Sequence, residues 1–196
     1  MYIICLIRIE RVHYVFVCAL DPAGPTQPLE RVTDRFWLTV SRLLGYKRLD
    51  VLLSAAARRP DEQFVVIGDG PHAETLRRDS PGNVHWAGAR GDDELRWAYR
   101  NCRGLIGTSE EDFGLTPLEA ASFGVPSLVP RARGYLDHVV EGESGLFHDG
   151  TVQGLMAGLD EMAASSWASD RIRGSVARHQ PAVFTRRIVD IVEDAA

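Results

Sequence analysis

From residue 31 onwards, apolar positions alternate between short continuous runs and longer segments with helical spacing. The short runs predict strands at 36–41, 63–67, 83–87, 103–108, 126–129 and 145–148. The longer segments predict helices at 48–59, 71–78, 92–101 (capped by Asp92), 116–123, 135–140, 151–163, 166–178 and 182–193. Because strands that alternate with helices form parallel sheets, we expect an α/β fold, a Rossmann-like parallel sheet flanked by helices.

The first 30 residues follow a different pattern. Two apolar, β-prone runs at 1–7 and 12–20 are interrupted by charges, so neither is long enough to span a bilayer as a helix. No basic region precedes an unbroken apolar core, which argues against a signal peptide. We interpret 1–30 as a weakly specified hairpin and linker or a remnant of a larger protein, 31–180 as the domain, and 181–196 as a C-terminal helix.

Composition narrows the classes of function. A net charge of -5 and a pI near 5.7 argue against general nucleic-acid binding. The three cysteines lack metal-ligand spacing, which argues against a metal site, and they cannot all pair, which favours a reducing cytoplasm. We expect a cytoplasmic protein without a transmembrane segment, with peripheral attachment at the inner membrane face as the alternative. Lys47 is the single lysine among the 22 lysine and arginine residues. Its rarity can mark a functional position, but codon bias explains it equally simply.

The segment 109–120 carries the most chemistry, because an acidic cluster, a glycine and a helix start lie within twelve residues. Thr116 fits an N-cap, Pro117 the first helical residue and Glu119 the third. The first N–H groups of a helix have no backbone partner, so a helix start next to a glycine loop can bind an anion. Carboxylates beside it suit a ligand with phosphates and hydroxyls, such as a nucleotide sugar.

Each carboxylate here has a simpler interpretation. Glu111 can bind sugar hydroxyls, or it can belong to a solvated acidic loop. Glu119 can bind ribose hydroxyls, or it can complete a Thr-x-x-Glu capping box with Thr116. A metal site is disfavoured because no histidine lies nearby in the sequence.

Three further loops follow predicted strands. Arg42 and Lys47 lie between a strand and a helix and can bind phosphate, or they can be solvated cations. Gly68 and Gly70 let the backbone approach a ligand, or they form an ordinary turn. His138 can be a general base, although a lone histidine in the first turns of a helix is more often structural.

These segments, in this order, resemble the C-terminal half of family 4 glycosyltransferases, which have the GT-B fold. The matching stretches are 40–43, 46–50, 65–71, 83–88, 110–120, 124–126 and 145–147. The resemblance covers about residues 31–150 and implies retaining, metal-independent transfer from a nucleotide diphospho-sugar. The segments 41–48 and 110–114 look like those of mannosyltransferase-like members. This resemblance makes GDP-mannose the first donor to consider, with no further cofactor.

The resemblance also implies roles for individual residues. Arg42 and Lys47 would hold the diphosphate, and Glu111 would bind sugar hydroxyls together with the N–H groups of the following loop. The catalytic set is then Arg42, Lys47 and Glu111, and the donor-binding set is Gly68, Arg90, Phe113, Gly114, Leu115, Thr116 and Glu119. Proton transfer to the leaving diphosphate would make a side-chain base unnecessary.

Two departures from the family pattern bear on function. Where the family often has Gly-Gly-x-x-Glu, this sequence has Arg133 and Asp137, which can alter donor choice. An acceptor-binding half normally precedes a segment such as 31–41, so we expect this chain alone to lack transfer activity. The acceptor would be a glycan or lipid-linked glycan, with a separate N-terminal acceptor domain as a partner.

Three other interpretations compete with the transferase. The chain can be a non-catalytic nucleotide-sugar-binding module or half of a split enzyme. It can also be a nucleotide-sugar epimerase, which would need an acid/base pair such as Glu111 and His138. Finally, it can be an interaction protein that pairs with a partner through its apolar segment 1–20.

Overall fold

The computed structural model describes residues 4–9, 12–17, 20–33, 35–177, 186, 189–190 and 193. Its strands are β1 (Ile4–Ile9), β2 (Val12–Val17), β3 (Trp37–Val40), β4 (Phe64–Ile67), β5 (Val84–Gly88), β6 (Gly104–Ile106), β7 (Ser127–Pro130) and β8 (Gly145–His148). Its helices are α1 (Leu49–Ala56), α2 (Ala73–Arg78), α3 (Asp92–Asn101), α4 (Leu115–Ser122), α5 (Tyr135–His138), α6 (Val152–Ala164) and α7 (Ser169–Ser175), with a short 3₁₀ turn at Gly45–Lys47.

Six strands form one sheet in the order β5-β4-β3-β6-β7-β8. Every neighbouring pair in it is parallel, so all six carboxyl ends lie along one edge. The chain order reverses between β3 and β6, which lie side by side at the centre. This is the Rossmann-like parallel sheet that the sequence predicts, and its reversal point is where such sheets bind ligands.

Apolar side chains cover both faces of the sheet. The continuous apolar run of β4 is buried at all four positions, as expected for a central parallel strand. On one face Trp37 packs with the buried sides of α1 and α6. On the other face Phe36 and Leu38 pack with α3 and α4. The helix layers therefore leave the carboxyl edge of the sheet accessible to a ligand.

Several predicted boundaries shift. Helix α2 begins at Ala73 rather than Pro71, because the Ala73 N–H closes a turn by donating to the Gly70 carbonyl at 3.0 Å. Asp92 is the first residue of α3 rather than its cap, which is Gly91. The Glu94 carboxylate accepts the Gly91 N–H at 3.3 Å and so satisfies the start of this helix.

The N-terminal strands form a separate antiparallel sheet, in which Ile4 lies opposite Val17. This agrees with the predicted hairpin, while the domain boundaries at 30 and 180 stay predictions. Most of the predicted helix 182–193, and of the segment 181–196, falls outside the described residues. No helix in the described part of the chain has the length and apolar character needed to cross a membrane.

Candidate functional site

A cleft with a volume of about 1190 Å³ runs along the carboxyl edge of the six-stranded sheet. The residue that directly follows each of the six strands lines it: Ser41, Gly68, Ala89, Gly107, Arg131 and Asp149. All ten predicted site residues also line it: Arg42, Lys47, Gly68, Arg90, Glu111, Phe113, Gly114, Leu115, Thr116 and Glu119. The fold thus brings together residues that are far apart in sequence; what each contributes to a ligand stays a prediction.

Lys47 projects into the cleft from the 3₁₀ turn after β3. Its ammonium group forms an ion pair with one carboxylate oxygen of Glu111, in the loop after β6. The Ser109 hydroxyl donates to the same Glu111 oxygen at 2.6 Å. The Thr108 hydroxyl donates to the Lys47 carbonyl at 2.7 Å and so ties the two loops together. Among the described residues, the hydrogen bonds of the Glu111 carboxylate thus converge on one oxygen.

Arg42 is the second cation that lines the cleft from the loop after β3. Its side chain is exposed and forms no ion pair with any residue that the structure describes. Arg90, at the β5 side of the cleft, is instead paired with Glu94 at 3.1 Å. Of the two predicted arginines, Arg42 is therefore the one without an ion-pair partner among the described residues.

The loop that contains the three carboxylates at 110–112, here called the acidic loop, leads into α4. This helix begins earlier than the sequence predicts. Gly114 is the N-cap of α4, in a left-handed conformation with φ 80° and ψ 62°, and Leu115 is the first helical residue. Thr116 and Pro117 are therefore the second and third helical residues, so the predicted cap is wrong. The helix start still lines the cleft, and its first N–H groups lack intrahelical acceptors.

Glu119 does not form the predicted capping box, because Thr116 is already inside the helix. Its carboxylate accepts a hydrogen bond from the Tyr99 hydroxyl at 2.9 Å, and only 3% of the residue is exposed. The pKa of Glu119 is raised from 4.5 to about 7, mainly by burial and to a smaller extent by the charge of Asp92, while the Tyr99 hydrogen bond opposes the shift. A carboxyl group with this pKa is half protonated near neutral pH.

The glycines after β4 have a packing role. A Cβ on Gly68 would lie 1.9 Å from the Ser41 carbonyl oxygen, and one on Gly70 would lie 2.6 Å from that of Leu43. The loops after β3 and β4 are therefore in backbone contact, which supports the interpretation of an ordinary turn. Gly68 still lines the cleft, so a ligand approach at that position is compatible with the packing.

Neither nearby histidine has the geometry of a base in the cleft. His138 is buried edge-on against the Phe113 ring, with the ring centroids 4.7 Å apart, and does not line the cleft. His148 does line it, but its Nδ1 accepts the Gly150 N–H at 3.0 Å. Its Nε2 then donates to the Gly107 carbonyl at 2.9 Å. Burial lowers the pKa of His148, which keeps this neutral tautomer in place.

The sequence places 133–138 in a loop that can lie near the sugar, but it assigns no role to two buried tyrosines of the site. Tyr99 supplies the hydrogen bond to Glu119 from α3, and Tyr135 lies under the acidic loop and lines the cleft. Both are buried among apolar residues, so the sequence pattern contains no signal that separates them from the core. The sequence likewise places His148 in a strand and indicates no role for it.

Of the two residues that depart from the family pattern, Arg133 lines the cleft and Asp137 does not. Arg133 lines the cleft and pairs with Glu110 and Asp112 of the acidic loop. Asp137 is exposed and does not line the cleft. Across the described part of the chain, no group of three or more histidine, cysteine, aspartate or glutamate side chains is arranged to hold a metal ion.

A parallel Rossmann-like sheet whose carboxyl edge carries cations, carboxylates and a helix start is suited to bind a phosphate-containing ligand at that edge. The model of the family described as "Glycosyl transferases group 1" matches residues 25–174. The chain belongs to this family of glycosyltransferases.

Relatives and a solved structure agree with this assignment. The chain is 36% identical over 111 residues to a GDP-mannose-dependent alpha-mannosyltransferase of Corynebacterium glutamicum, a match that covers 56% of this chain and 26% of the relative. It is 32% identical over 153 residues to a GDP-mannose-dependent alpha-(1-6)-phosphatidylinositol monomannoside mannosyltransferase of Mycolicibacterium smegmatis, covering 68% of this chain and 40% of the relative. The lipopolysaccharide outer core galactosyltransferase WaaB shares the fold with a TM-score of 0.71 and 24% identity, over 91% of this chain and 54% of WaaB.

Proposed function

We propose that the cleft binds a nucleotide diphospho-sugar and that the chain is the donor half of a retaining hexosyltransferase, with GDP-mannose as the first donor to consider. One observation carries this proposal. Two cations, Arg42 and Lys47, line the same cleft as the start of α4 and the carboxylates of Glu111 and Glu119. Cations and free N–H groups suit a diphosphate, and carboxylates suit the hydroxyls of two sugars.

The diphosphate would lie between Arg42, Lys47 and the start of α4. When the glycosidic bond breaks, the leaving diphosphate gains negative charge. Cations and N–H groups that are already in place stabilise that charge more in the transition state than in the ground state. Lys47 can keep one hydrogen bond to Glu111 while it donates to phosphate, because an ammonium group has three donors.

The transferred sugar would bind beside Glu111. One oxygen of this carboxylate is occupied by Lys47 and Ser109, which fixes the orientation of the group. The second oxygen can then accept a sugar hydroxyl, and the N–H groups at Phe113, Gly114 and Leu115 can bind further hydroxyls. The ribose would bind at Glu119, which with a pKa of about 7 can accept or donate a hydrogen bond.

The proton of the acceptor hydroxyl would pass to the leaving diphosphate, with retention at the anomeric carbon. The positions of the histidines support this route, because His138 does not line the cleft and both ring nitrogens of His148 are hydrogen-bonded. The same positions make an epimerase less suitable, since Glu111 and His138 do not share the cleft as an acid/base pair.

GDP-mannose is proposed because two relatives are named as GDP-mannose-dependent mannosyltransferases. The chain spans 26% and 40% of those two relatives, and cleft residues such as Arg42 and Asp112 are exposed. We therefore propose that an acceptor-binding unit covers the cleft and excludes water, and that the chain alone transfers little. The acceptor would be a glycan or lipid-linked glycan, reached in the cytoplasm or at the inner membrane face.

Calorimetric titration tests the donor site directly. The purified chain is titrated with GDP, UDP, ADP and GDP-mannose, beside Lys47→Ala and the control Arg58→Ala, an exposed arginine outside the cleft. The proposal predicts selective binding of one nucleotide, with a dissociation constant of roughly micromolar to millimolar, which Lys47→Ala weakens and Arg58→Ala leaves unchanged. A folded chain that binds none of these ligands contradicts it. Binding without transfer, even with the acceptor unit present, would favour a non-catalytic module.

A further inference from the structure

We propose that Arg133 is a positioning residue that fixes the acidic loop so that Glu111 faces the sugar of the donor. Arg133 acts together with Gly134 and Tyr135, and we call the segment 133–135 the clasp. This inference rests on the proposed function, because it assigns Glu111 to the sugar. It concerns the position where the sequence departs from the family pattern.

The side chain of Arg133 reaches both neighbours of Glu111. Its Nε donates to a carboxylate oxygen of Glu110 at 2.9 Å, and its Nη1 donates to one of Asp112 at 2.8 Å. Three consecutive carboxylates at 110–112 would otherwise repel one another and spread the loop. The guanidinium, with its fixed fork of donors, compensates the two outer charges and leaves the central one directed at the cleft.

The backbone of the clasp holds the same loop at a second point. The Gly134 N–H donates to the Glu111 carbonyl at 3.0 Å. A Cβ on Gly134 would lie 2.4 Å from the Phe113 carbonyl oxygen, so the two segments are in direct backbone contact. Arg133 itself has a φ of 48°, a left-handed conformation that is uncommon for a residue with a side chain. The ion pairs of Arg133 and the backbone contacts of Gly134 can compensate for the free-energy cost of this conformation.

Tyr135 supplies the third point of attachment. It is buried, and its ring lies so close to Gly114 that a Cβ there would come within 2.7 Å of the ring. Its hydroxyl is hydrogen-bonded with Ser109, and Ser109 donates to Glu111 at 2.6 Å. The clasp therefore contacts the acidic loop before, at and after Glu111. These contacts fix the backbone from which the Glu111 carboxylate reaches Lys47 and Ser109.

The alternative role for Arg133 is direct contact with the ligand, since 58% of its side chain is exposed. The two roles differ in the ligand-free protein. A positioning residue keeps the acidic loop ordered before any ligand binds, whereas a contact residue affects only the complex. The test therefore combines a measurement without ligand and one with ligand.

The first measurement is ¹⁵N relaxation of the ligand-free wild type, Arg133→Ala, Arg133→Lys and a control, Arg173→Ala. Arg173 is also an exposed, ion-paired arginine, but it does not line the cleft. In Arg133→Ala we expect the order parameters of the amides at 110–112 to fall from about 0.85 towards 0.6. Arg133→Lys should fall less, because lysine keeps the charge but cannot form both hydrogen bonds with one fork. Arg173→Ala should match the wild type.

The second measurement compares the dissociation constants of GDP and GDP-mannose for the same proteins. If the clasp positions the sugar-binding carboxylate, Arg133→Ala leaves the affinity for GDP unchanged. The affinity that GDP-mannose gains over GDP through its sugar should then fall by about three- to tenfold. Arg133→Lys should restore part of this gain.

The outcomes are distinguishable. Unchanged order parameters in Arg133→Ala overturn the positioning role, whatever the binding data show, and a lower sugar affinity would then indicate direct contact. Lower order parameters with unchanged sugar affinity overturn the link to Glu111. A wild type that binds neither ligand contradicts the proposed donor site and with it the link to the sugar, while the order parameters still decide whether Arg133 fixes the loop.

Discussion

Lys47 and Glu111 form an ion pair across the cleft, although 64 residues separate them in the sequence. Their loops follow β3 and β6, which are neighbours in the sheet only because the chain order reverses between them. The pair thus joins the cation assigned to the diphosphate and the carboxylate assigned to the sugar. Each side chain is only partly exposed, at 13% and 25%.

Removing one member of this pair should destabilise the protein more than replacing both. Lys47→Met leaves a half-buried carboxylate without its cation, for which we expect a loss of about 1–2 kcal/mol in the free energy of unfolding. Lys47→Met combined with Glu111→Gln should recover most of this loss. Urea unfolding of the two single variants and the double variant measures the coupling. Strictly additive losses would show that the ion pair contributes nothing to stability.

The contribution of Glu119 to the free energy of unfolding should fall between acidic and neutral pH. Its pKa is about 7 in the folded protein and near 4.5 when unfolded, so the folded state binds the proton more tightly. The stabilisation by the protonated form is complete below pH 4.5 and is lost as the pH rises to about 7. It amounts to roughly 3 kcal/mol for a shift of this size.

Glu119→Gln should remove this pH dependence, because the amide stays neutral and its oxygen can still accept the Tyr99 hydrogen bond. We expect the variant to lose less stability than the wild type between pH 4.5 and pH 7. Unfolding curves across this range measure the difference, with Glu161→Gln, an exposed glutamate on α6, as the control. Parallel pH profiles for Glu119→Gln and the wild type would contradict the raised pKa.

Gly114→Ala should destabilise the start of α4 for two reasons. The position has a φ of 80°, and the new methyl group would lie 2.7 Å from the Tyr135 ring. We expect a loss of about 1–3 kcal/mol. Gly142→Ala is a matched control, because its φ is 74° but no atom lies within 4 Å of the added Cβ. Thermal unfolding should show a clearly larger loss for Gly114→Ala. Equal losses would mean that the Tyr135 contact is unimportant.

Arg42→Ala should weaken nucleotide binding with little effect on stability. Within the described structure its guanidinium has no ion-pair partner to lose, so the free energy of unfolding should change by less than about 0.5 kcal/mol. The affinity for GDP should fall about tenfold, and binding should become less sensitive to salt, because one charge–charge contact with the diphosphate is removed. Titrations at low and high salt beside Arg58→Ala measure this. Unchanged affinity would exclude Arg42 from the site.

The sheet could be predicted from the sequence because its strands are short apolar runs separated by helical segments. β4, for example, is buried along its whole length. The order of the strands could not be predicted, since it depends on packing between distant segments. The proximity of Lys47 and Glu111 therefore followed from the resemblance, and their direct contact only from the structure.

Local chemistry at the acidic loop was harder to predict. The Thr-x-x-Glu pattern indicates a capping box, but Gly114 adopts the left-handed conformation and starts the helix earlier. The Glu119 carboxylate instead accepts a hydrogen bond from Tyr99, which lies 20 residues upstream on another helix. The contacts of Arg133 with Glu110 and Asp112 also join distant loops, so no spacing in the sequence indicates them.

The central claim is that the cleft at the carboxyl edge binds a nucleotide diphospho-sugar. Titration of the ¹⁵N-labelled chain with GDP-mannose, followed by amide chemical shifts, tests it most directly. The account predicts saturable shifts at Gly68, in the loop 110–114 and in the first turn of α4, with none at α7 or on the exposed side of α6. Shifts confined to other surfaces, or no shifts with GDP-mannose and the other common nucleotide sugars, would contradict it.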